Sequence, residues 1–210
     1  MLFFNYSKII DPLMRDVRVF VPKFTGIKPG DKALDVCCGT GDQVFYYNKE
    51  GAIAYGIDLD LKMIRMAEKD KRRKNNKNVF FQIADATKLP FEDNFFDHVS
   101  ISLALHEKES NIRDKVISEM KRVVKKEGSI IFIDFKIPFP NNFYSYSIKF
   151  IEYLNGKDHF RYFKDYINQG GLDKLLEKNK LQEEKRSFFR HNNIVMIKTT
   201  KIGDRGLTEY

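Results

Sequence analysis

A glycine turn between two acidic residues is the part of this chain whose residue types point most directly to chemistry. The run from Lys32 to Asp42 reads KALDVCCGTGD, a short apolar strand followed by Gly39 and Gly41. Glycine lets the backbone turn tightly and pass close to a ligand. Asp35 inside the strand and Asp42 after the turn would repel phosphate and attract an ammonium or sulfonium group. The segment therefore predicts a binding site for a cofactor that carries positive charge.

Two common phosphate-binding motifs do not fit this turn. A dinucleotide-binding site requires a third glycine three residues after Gly41, where Val44 stands. A P-loop requires the sequence Gly-Lys-Ser/Thr, which this turn lacks. No pyrophosphate site is therefore predicted.

Acidic residues also follow the next two predicted strands. Asp58 comes about 20 residues after the glycine turn, where an acid accepts hydrogen bonds from both ribose hydroxyls of a nucleoside. Asp60 is expected to cap the following helix. Asp85 is placed to accept from an adenine amino group, and Ala86 would offer its backbone N–H. Because the carboxyl ends of parallel strands meet at one edge of a sheet, these residues are expected to share a crevice.

These segments resemble the class I S-adenosylmethionine-dependent methyltransferases, and within them the C-methyltransferases of ubiquinone and menaquinone biosynthesis. The resemblance rests on LDVCCGTGD at 34–42, GIDLD at 56–60, DATKLPF at 85–91 and EMKRV at 119–123. It covers most of residues 32–134, whereas the segments before and after match the quinone enzymes poorly.

The resemblance implies S-adenosyl-L-methionine as the cofactor and methyl transfer to a small-molecule acceptor as the activity. It places the methionine part of the cofactor at the glycine turn, the ribose at Asp58 and the adenine at Asp85 with Ala86. The expected cofactor-binding residues are Asp35, Gly39, Thr40, Gly41, Asp58, Leu59, Asp85 and Ala86. The acceptor itself is not fixed, nor is the choice among C-, O- and N-methylation.

Candidates for contact with the methyl acceptor include residues that follow the fourth predicted strand and residues in the predicted helical cover. His106, titrating near neutrality, would take a proton from a phenol, enol or amine, or would instead hydrogen-bond its own loop. His159 is a second catalytic candidate, with a surface histidine as the alternative. Tyr6, Glu107 and Tyr153 are candidate substrate contacts, and the ring of Tyr6 would close over the sulfonium.

An aromatic segment follows the fifth predicted strand, beginning at Phe143. At helical spacing Phe143, Ser147, Phe150 and Leu154 form one stripe, and core packing is the favoured interpretation. The alternative is the wall of a pocket, which would indicate an apolar or aromatic acceptor. No metal site is predicted, because Cys37 and Cys38 have no further cysteine or histidine cluster nearby.

The pattern of short β-branched runs and longer amphipathic stretches predicts the elements that position these residues. The fold class is α/β, a doubly wound Rossmann-like sheet of seven mostly parallel strands with an antiparallel edge hairpin, a helical N-terminal arm and a helical cover after the fifth strand. Gly128 is expected to end a helix that spans Asn111–Lys126. The predicted strands are Lys32–Val36, Ile53–Ile57, Val79–Ile83, Phe96–Ser102, Ser129–Asp134, Gln182–Phe189 and Ile194–Thr199.

One methyltransferase domain is expected over residues 1–210. Its parts are an arm at 1–30, a cofactor-binding core at 31–134, the cover at 135–180, the hairpin at 181–200 and a tail at 201–210. The two adjacent cysteines cannot form an unstrained disulfide, so a cytoplasmic location is expected. The apolar start of the chain is short and lacks a basic region, so any membrane contact is expected to be peripheral.

The net charge of +8 and the pI of about 9.3 allow an anionic partner. The basic residues are dispersed, however, so the nucleic-acid signal is weak. An RNA or protein methyltransferase is one alternative, although Ser102–His106 lacks the Asn/Asp-Pro-Pro-aromatic motif of enzymes that methylate exocyclic base amines. A non-catalytic cofactor-binding subunit is the other. The oligomeric state is not predicted.

Overall fold

The computed structural model describes the backbone of residues 6–201 and the side chains of residues 12–201. Helices and strands alternate along most of this range. The helices are α1 (Tyr6–Thr25), α2 (Asp42–Lys49), α3 (Leu61–Lys74), α4 (Ser110–Val123), α5 (Phe143–Leu154), α6 (Lys157–Asn168) and α7 (Gly171–Lys178). The strands are β1 (Lys32–Val36), β2 (Ile53–Asp58), β3 (Val79–Ile83), β4 (Phe96–Ser102), β5 (Val124–Phe135), β6 (Leu181–Phe189) and β7 (Ile194–Lys201).

The seven strands form one sheet in the order β3-β2-β1-β4-β5-β7-β6. Strands β1 to β5 run parallel, and β7 runs antiparallel to both β5 and β6. The predicted doubly wound sheet with an antiparallel edge hairpin is therefore confirmed. Strand order reverses between β1 and β4, and ligands of such sheets bind at the carboxyl ends of the strands at this point.

The fifth strand is longer than predicted, and Gly128 lies inside it. Helix α4 ends at Val123 and β5 begins directly at Val124, so the expectation that Gly128 ends the helix is wrong. A Cβ at Gly128 would lie 2.6 Å from the carbonyl oxygen of Asp97. Glycine is needed there because the neighbouring backbone approaches closely.

Helix α5 turns its polar side inward, contrary to the favoured interpretation of its aromatic stripe. Phe143 is 80% exposed and Phe150 is 62% exposed, whereas Ser145 and Glu152 are buried. Ser145 donates a hydrogen bond from its hydroxyl to Asn193 Oδ1 at 2.6 Å. The stripe therefore does not pack in the core, because polar partners hold the opposite face of the helix inside.

Helix α1 packs on the start of α2. Met14, Val17 and Val21 are fully buried. Arg18 Nη1 lies 3.2 Å from Asp42 Oδ2 and so links the arm to the residue after the glycine turn. Tyr6 is the first residue of α1, and its side chain lies outside the described residues.

Among residues 6–201, no helix combines the length and the apolar character that a bilayer span requires.

The glycine turn packs against the neighbouring strand. Gly41 has a φ of 79°, and a Cβ there would lie 2.4 Å from Phe81 Cζ. The left-handed backbone and this contact both require glycine, so Gly41 serves the packing of the turn.

We expect Gly41→Ala to lower the free energy of unfolding by about 3 kcal/mol or more, because strain in the backbone adds to steric overlap with Phe81. Gly30→Ala is the matched control, since Gly30 has a φ of 90° and open space around its Cα. The control should cost about 1 kcal/mol. Urea unfolding measures both, and equal losses would contradict the packing argument.

Candidate active site

A cavity of about 950 Å³ opens at the carboxyl ends of the first four strands. Small-molecule sites measure about 300–1,000 Å³, so it has room for a cofactor together with a small acceptor. Six of the residues predicted from the sequence line it: Gly39, Asp58, Leu59, Asp85, Ala86 and Glu107. Sequence reasoning missed other lining residues, among them Cys37, Met63, Thr87, Lys108 and Tyr162.

Asp58 connects two edges of this cavity. Its Oδ2 accepts a hydrogen bond from the Gly39 N–H at 2.8 Å, and its Oδ1 accepts from the Asp60 N–H at 2.9 Å. Asp60 in turn caps α3 by accepting from the Lys62 N–H, as expected. A carboxylate has about four lone-pair sites. Asp58 therefore keeps acceptor capacity for a pair of ribose hydroxyls.

Asp85 is fixed by a turn that follows β3. Its Oδ1 accepts from both the backbone N–H and the hydroxyl of Thr87, each at 2.8 Å. These hydrogen bonds hold the pKa of Asp85 below its usual value. The carboxylate is ionised at neutral pH and suited to accept from an amino group. An Asp followed two residues later by Thr is the sequence signal that would have found Thr87.

Three of the expected cofactor residues do not line the cavity. Asp35 is buried within β1, where Ser100 Oγ donates to its Oδ1 at 2.6 Å. Burial raises the pKa of Asp35 to about 7, although the hydrogen bond from Ser100 opposes this shift. Thr40 is buried and Gly41 packs on Phe81.

The acids that flank the glycine turn are thus not the source of negative charge in the cavity. Asp42 faces Arg18 instead. The carboxylates that line the cavity are Asp58, Asp60, Asp85, Glu107 and Glu109. These carboxylates still give the cavity the expected preference for a positively charged ligand, since opposite charges attract most strongly where water is excluded.

Another side of the cavity is formed by the loop after β4 and by Tyr162 of α6. Glu107 Oε1 lies 3.6 Å from Lys108 Nζ. Tyr162 reaches the cavity from α6 and donates a hydrogen bond from its hydroxyl to Glu109 Oε1 at 2.8 Å. Tyr153 is exposed on α5 and does not line the cavity, so the structure does not bring this expected contact to the site.

The two histidine candidates lie together beneath the cover helices and outside the cavity lining. His106 is buried, and its Nδ1 lies 2.6 Å from Asp134 Oδ1. Burial alone would lower the pKa of His106, but the carboxylates of Asp134 and Glu152 outweigh it and raise the pKa to about 9. The expectation that His106 titrates near neutrality is therefore wrong. His159 contacts Glu152 on α5.

A fully buried arginine fixes the loop after β4 against α6. Arg113 on α4 donates from Nε to the Leu105 carbonyl at 3.0 Å, from Nη2 to the Tyr162 carbonyl at 2.7 Å and from Nη1 to Asp165 Oδ2 at 2.8 Å. It thereby joins the loop after β4 to α6. Sequence reasoning missed it, because its partner Asp165 lies 52 residues away.

Comparison with known proteins identifies the family. A family model described as "Methyltransferase domain" matches residues 34–132. The chain is 35% identical over 149 residues to a demethylmenaquinone methyltransferase of Bacillus mycoides, covering 67% of this chain and 61% of the relative. A demethylmenaquinone methyltransferase of Staphylococcus aureus is 33% identical over 173 residues, covering 74% of this chain and 69% of the relative. The chain belongs to the class I S-adenosylmethionine-dependent methyltransferases.

The fold agrees with this assignment. An S-adenosylmethionine-dependent methyltransferase from Aquifex aeolicus superimposes with a TM-score of 0.70 at 20% identity, covering 94% of this chain and 97% of the other. The resemblance predicted from the sequence is confirmed, and S-adenosylmethionine is the cofactor of this methyltransferase. The donor set fits it, because acidic side chains line the cavity beside the apolar side chains of Leu59 and Met63.

We expect Asp58→Asn to weaken S-adenosylmethionine binding by roughly 10- to 100-fold, since hydrogen bonds to a charged group contribute about 1.5–3 kcal/mol. The substituted amide retains one oxygen for the Gly39 N–H but loses the charge and the second acceptor. Asp93→Asn is the control, because Asp93 pairs with Arg122 outside the cavity lining. Isothermal calorimetry measures both, and an unchanged affinity in Asp58→Asn would refute the ribose contact.

Asp35 should make the stability of this methyltransferase depend on pH. With a folded pKa of about 7 against an ordinary 3.8, Asp35 keeps a proton that the unfolded chain has released. Stability from this group is therefore lost as pH rises between these values, at about 1.4 kcal/mol per pH unit. From about pH 5 to about pH 7 the wild type should lose roughly 2 kcal/mol more than Asp35→Asn. Parallel urea-unfolding profiles for the two proteins would contradict this.

Proposed function

We propose that this methyltransferase transfers the methyl group of S-adenosylmethionine to a small lipophilic acceptor that contains an aromatic or enolic ring. One observation carries the proposal: a single cavity brings Asp58 and Asp85 together with Glu107 and Tyr162. The cofactor supplies an electrophilic methyl group on a sulfonium. The chain must hold the cofactor, align the acceptor behind the methyl carbon and accept any proton that the acceptor releases.

The cofactor side is assigned from the lining residues. Asp58 binds the ribose hydroxyls, and Asp85 with Ala86 binds the adenine edge. Leu59 and Met63 supply apolar contacts for the adenine ring. Gly39 adds no side chain at the turn and leaves room for the methionine part. The free acceptor capacity of Asp58 and the ionised state of Asp85 support this arrangement.

Glu107 is the proton acceptor that the geometry favours. Its carboxylate lines the cavity, and Lys108 lies beside it. His106 fits this role less well, because it lies outside the lining and its raised pKa keeps it protonated at neutral pH. Tyr162, which also lines the cavity, would help to orient the acceptor.

The charge of the cavity disfavours RNA as the acceptor. Among the described residues, five carboxylates line it against the single amine of Lys108. A phosphate backbone binds through positive charge, so it would be repelled at this opening. The same carboxylates tolerate an uncharged ring, which supports a small lipophilic molecule over the RNA alternative.

Two further observations support a lipophilic acceptor. The relatives described above are named for demethylmenaquinone, a lipid-soluble naphthoquinone. The outward face of α5 also exposes Phe143, Tyr146, Phe150 and Tyr153 around Lys149. Aromatic rings with a lysine suit the interface of an anionic bilayer. We propose that this face makes a peripheral contact with the membrane that holds the acceptor.

The test is methyl transfer from labelled S-adenosylmethionine to the hydroquinone form of demethylmenaquinone embedded in anionic vesicles. We expect label in the quinone and none in RNA or protein added to parallel reactions. The double variant Phe143→Ser/Phe150→Ser should lower turnover on vesicles by about 10-fold or more, because it loses about 2 kcal/mol or more from the burial of apolar side chains in the bilayer. Turnover on a short-chain, water-soluble analogue should be unchanged.

Each other result has a definite meaning. Label in RNA or protein would establish the alternative acceptor class. Cofactor binding without transfer to any acceptor would favour a non-catalytic subunit. Equal loss of turnover on vesicles and on the soluble analogue would contradict the membrane contact alone.

A further inference from the structure

Three side chains that the proposed reaction does not use meet beneath the cover helices α5 and α6. His106 comes from the loop after β4, Glu152 from α5 and His159 from α6. His106 Nε2 lies 3.8 Å from Glu152 Oε2, and His159 Nε2 contacts the same oxygen. One ligand atom from each residue lies within 4.8 Å of the other two. Two imidazole nitrogens and one carboxylate oxygen therefore converge on one small volume.

The ring of His106 is held in a fixed orientation by Asp134. His106 Nδ1 lies 2.6 Å from Asp134 Oδ1. Asp134 is itself fixed, because it accepts hydrogen bonds from the backbone N–H groups of Leu105, His106 and Phe135. His106 Nε2 is thereby presented to Glu152. A carboxylate on the far nitrogen is the usual support of a histidine that binds a metal.

Two buried carboxylates at this point are paired with histidine side chains. Asp134 and Glu152 are both buried, and among the described side chains their salt bridges are with histidines. A metal ion binds neutral imidazole, so the histidines must release their protons when it binds, and the two carboxylates would then need the positive charge of the ion in this region of low dielectric. A divalent cation between the three ligands would neutralise both carboxylates.

We propose that His106, Glu152 and His159 bind a divalent transition-metal ion, with Asp134 as the residue that positions His106. Two imidazoles and one carboxylate suit Zn²⁺ or Fe²⁺, whereas Mg²⁺ prefers oxygen ligands alone. In a tetrahedral zinc site neighbouring ligand atoms lie about 3.4 Å apart. The separation of 3.8 Å between His106 Nε2 and Glu152 Oε2 is a few tenths of an ångström from that value.

The ion would join three elements of the fold and leave a coordination position for water. None of its ligands lines the cofactor cavity. The site therefore fastens α5 and α6 to the loop after β4, and it acts separately from cofactor binding. Glu107 connects the cavity to this cluster, because its Oε2 lies 3.9 Å from His159 Nδ1.

The experiment is calorimetric titration of the chelator-treated, dialysed full-length protein with ZnCl₂ and, in parallel, with MgCl₂. We expect one Zn²⁺ per chain, confirmed by elemental analysis, and no heat from Mg²⁺. Co²⁺ should give visible absorption bands without a thiolate charge-transfer band, because Cys37 and Cys38 are not ligands.

Variants decide whether the ion occupies this cluster. Glu152→Gln and His159→Gln should each lower Zn²⁺ affinity by about 30-fold or more while retaining calorimetric binding of S-adenosylmethionine, which reports an intact fold. His191→Asn is the matched control, because His191 lies in the β6–β7 turn and stacks on Tyr144 of α5. This variant should bind Zn²⁺ as the wild type does. The proposal is overturned by a wild type that binds no Zn²⁺, by a thiolate band with Co²⁺, or by cluster variants that bind as tightly as the control.

Discussion

The carboxylate of Asp58 is the contact on which the arrangement of the cavity depends. It ends β2 and accepts hydrogen bonds from the N–H groups of Gly39 and Asp60, so one side chain joins the glycine turn to the start of α3. The parallel register aligns this end of β2 with those of β1 and β3. Asp85 consequently follows at the same edge of the sheet. Strand order and one carboxylate together determine how the edge of the cavity is arranged.

A second constraint is the burial of polar groups beneath the cover. Arg113 is fully buried and joins α4, α6 and the loop after β4 through three hydrogen bonds. Glu152 turns inward from a helix whose aromatic side chains face outward. Buried polar groups are costly unless they are paired, so each fixes the position of its partners. This network fixes α6 and the loop after β4, while aromatic rings of α5 face outward.

The sequence predicts the sheet well, because each strand is a short apolar run set between charged helices. Asp58, Asp85 and Glu107 are predicted at the cavity for a related reason, since they directly follow strands whose ends must meet. Asp35 and Gly41 are also predicted to bind the cofactor, but neither lines the cavity: Asp35 accepts a hydrogen bond from Ser100 and Gly41 packs on Phe81. Their residue types do not show which neighbour each one faces. Arg113 could not be predicted, since its partner Asp165 lies 52 residues away, and the pairing of Glu152 with His106 joins two separate elements. Helical spacing identifies the aromatic face of α5 but does not show whether that face is buried. The partners of Ser145 and Glu152 lie inside, so the opposite face is buried.

The most direct measurement is a crystal structure with S-adenosylhomocysteine bound. We expect the ribose hydroxyls to bind the carboxylate of Asp58, the adenine amino group to bind Asp85, and the sulfur to face the space beside Glu107 and Tyr162. A cofactor bound elsewhere, or one whose sulfur is separated from Glu107 and Tyr162 by protein, would contradict this expectation.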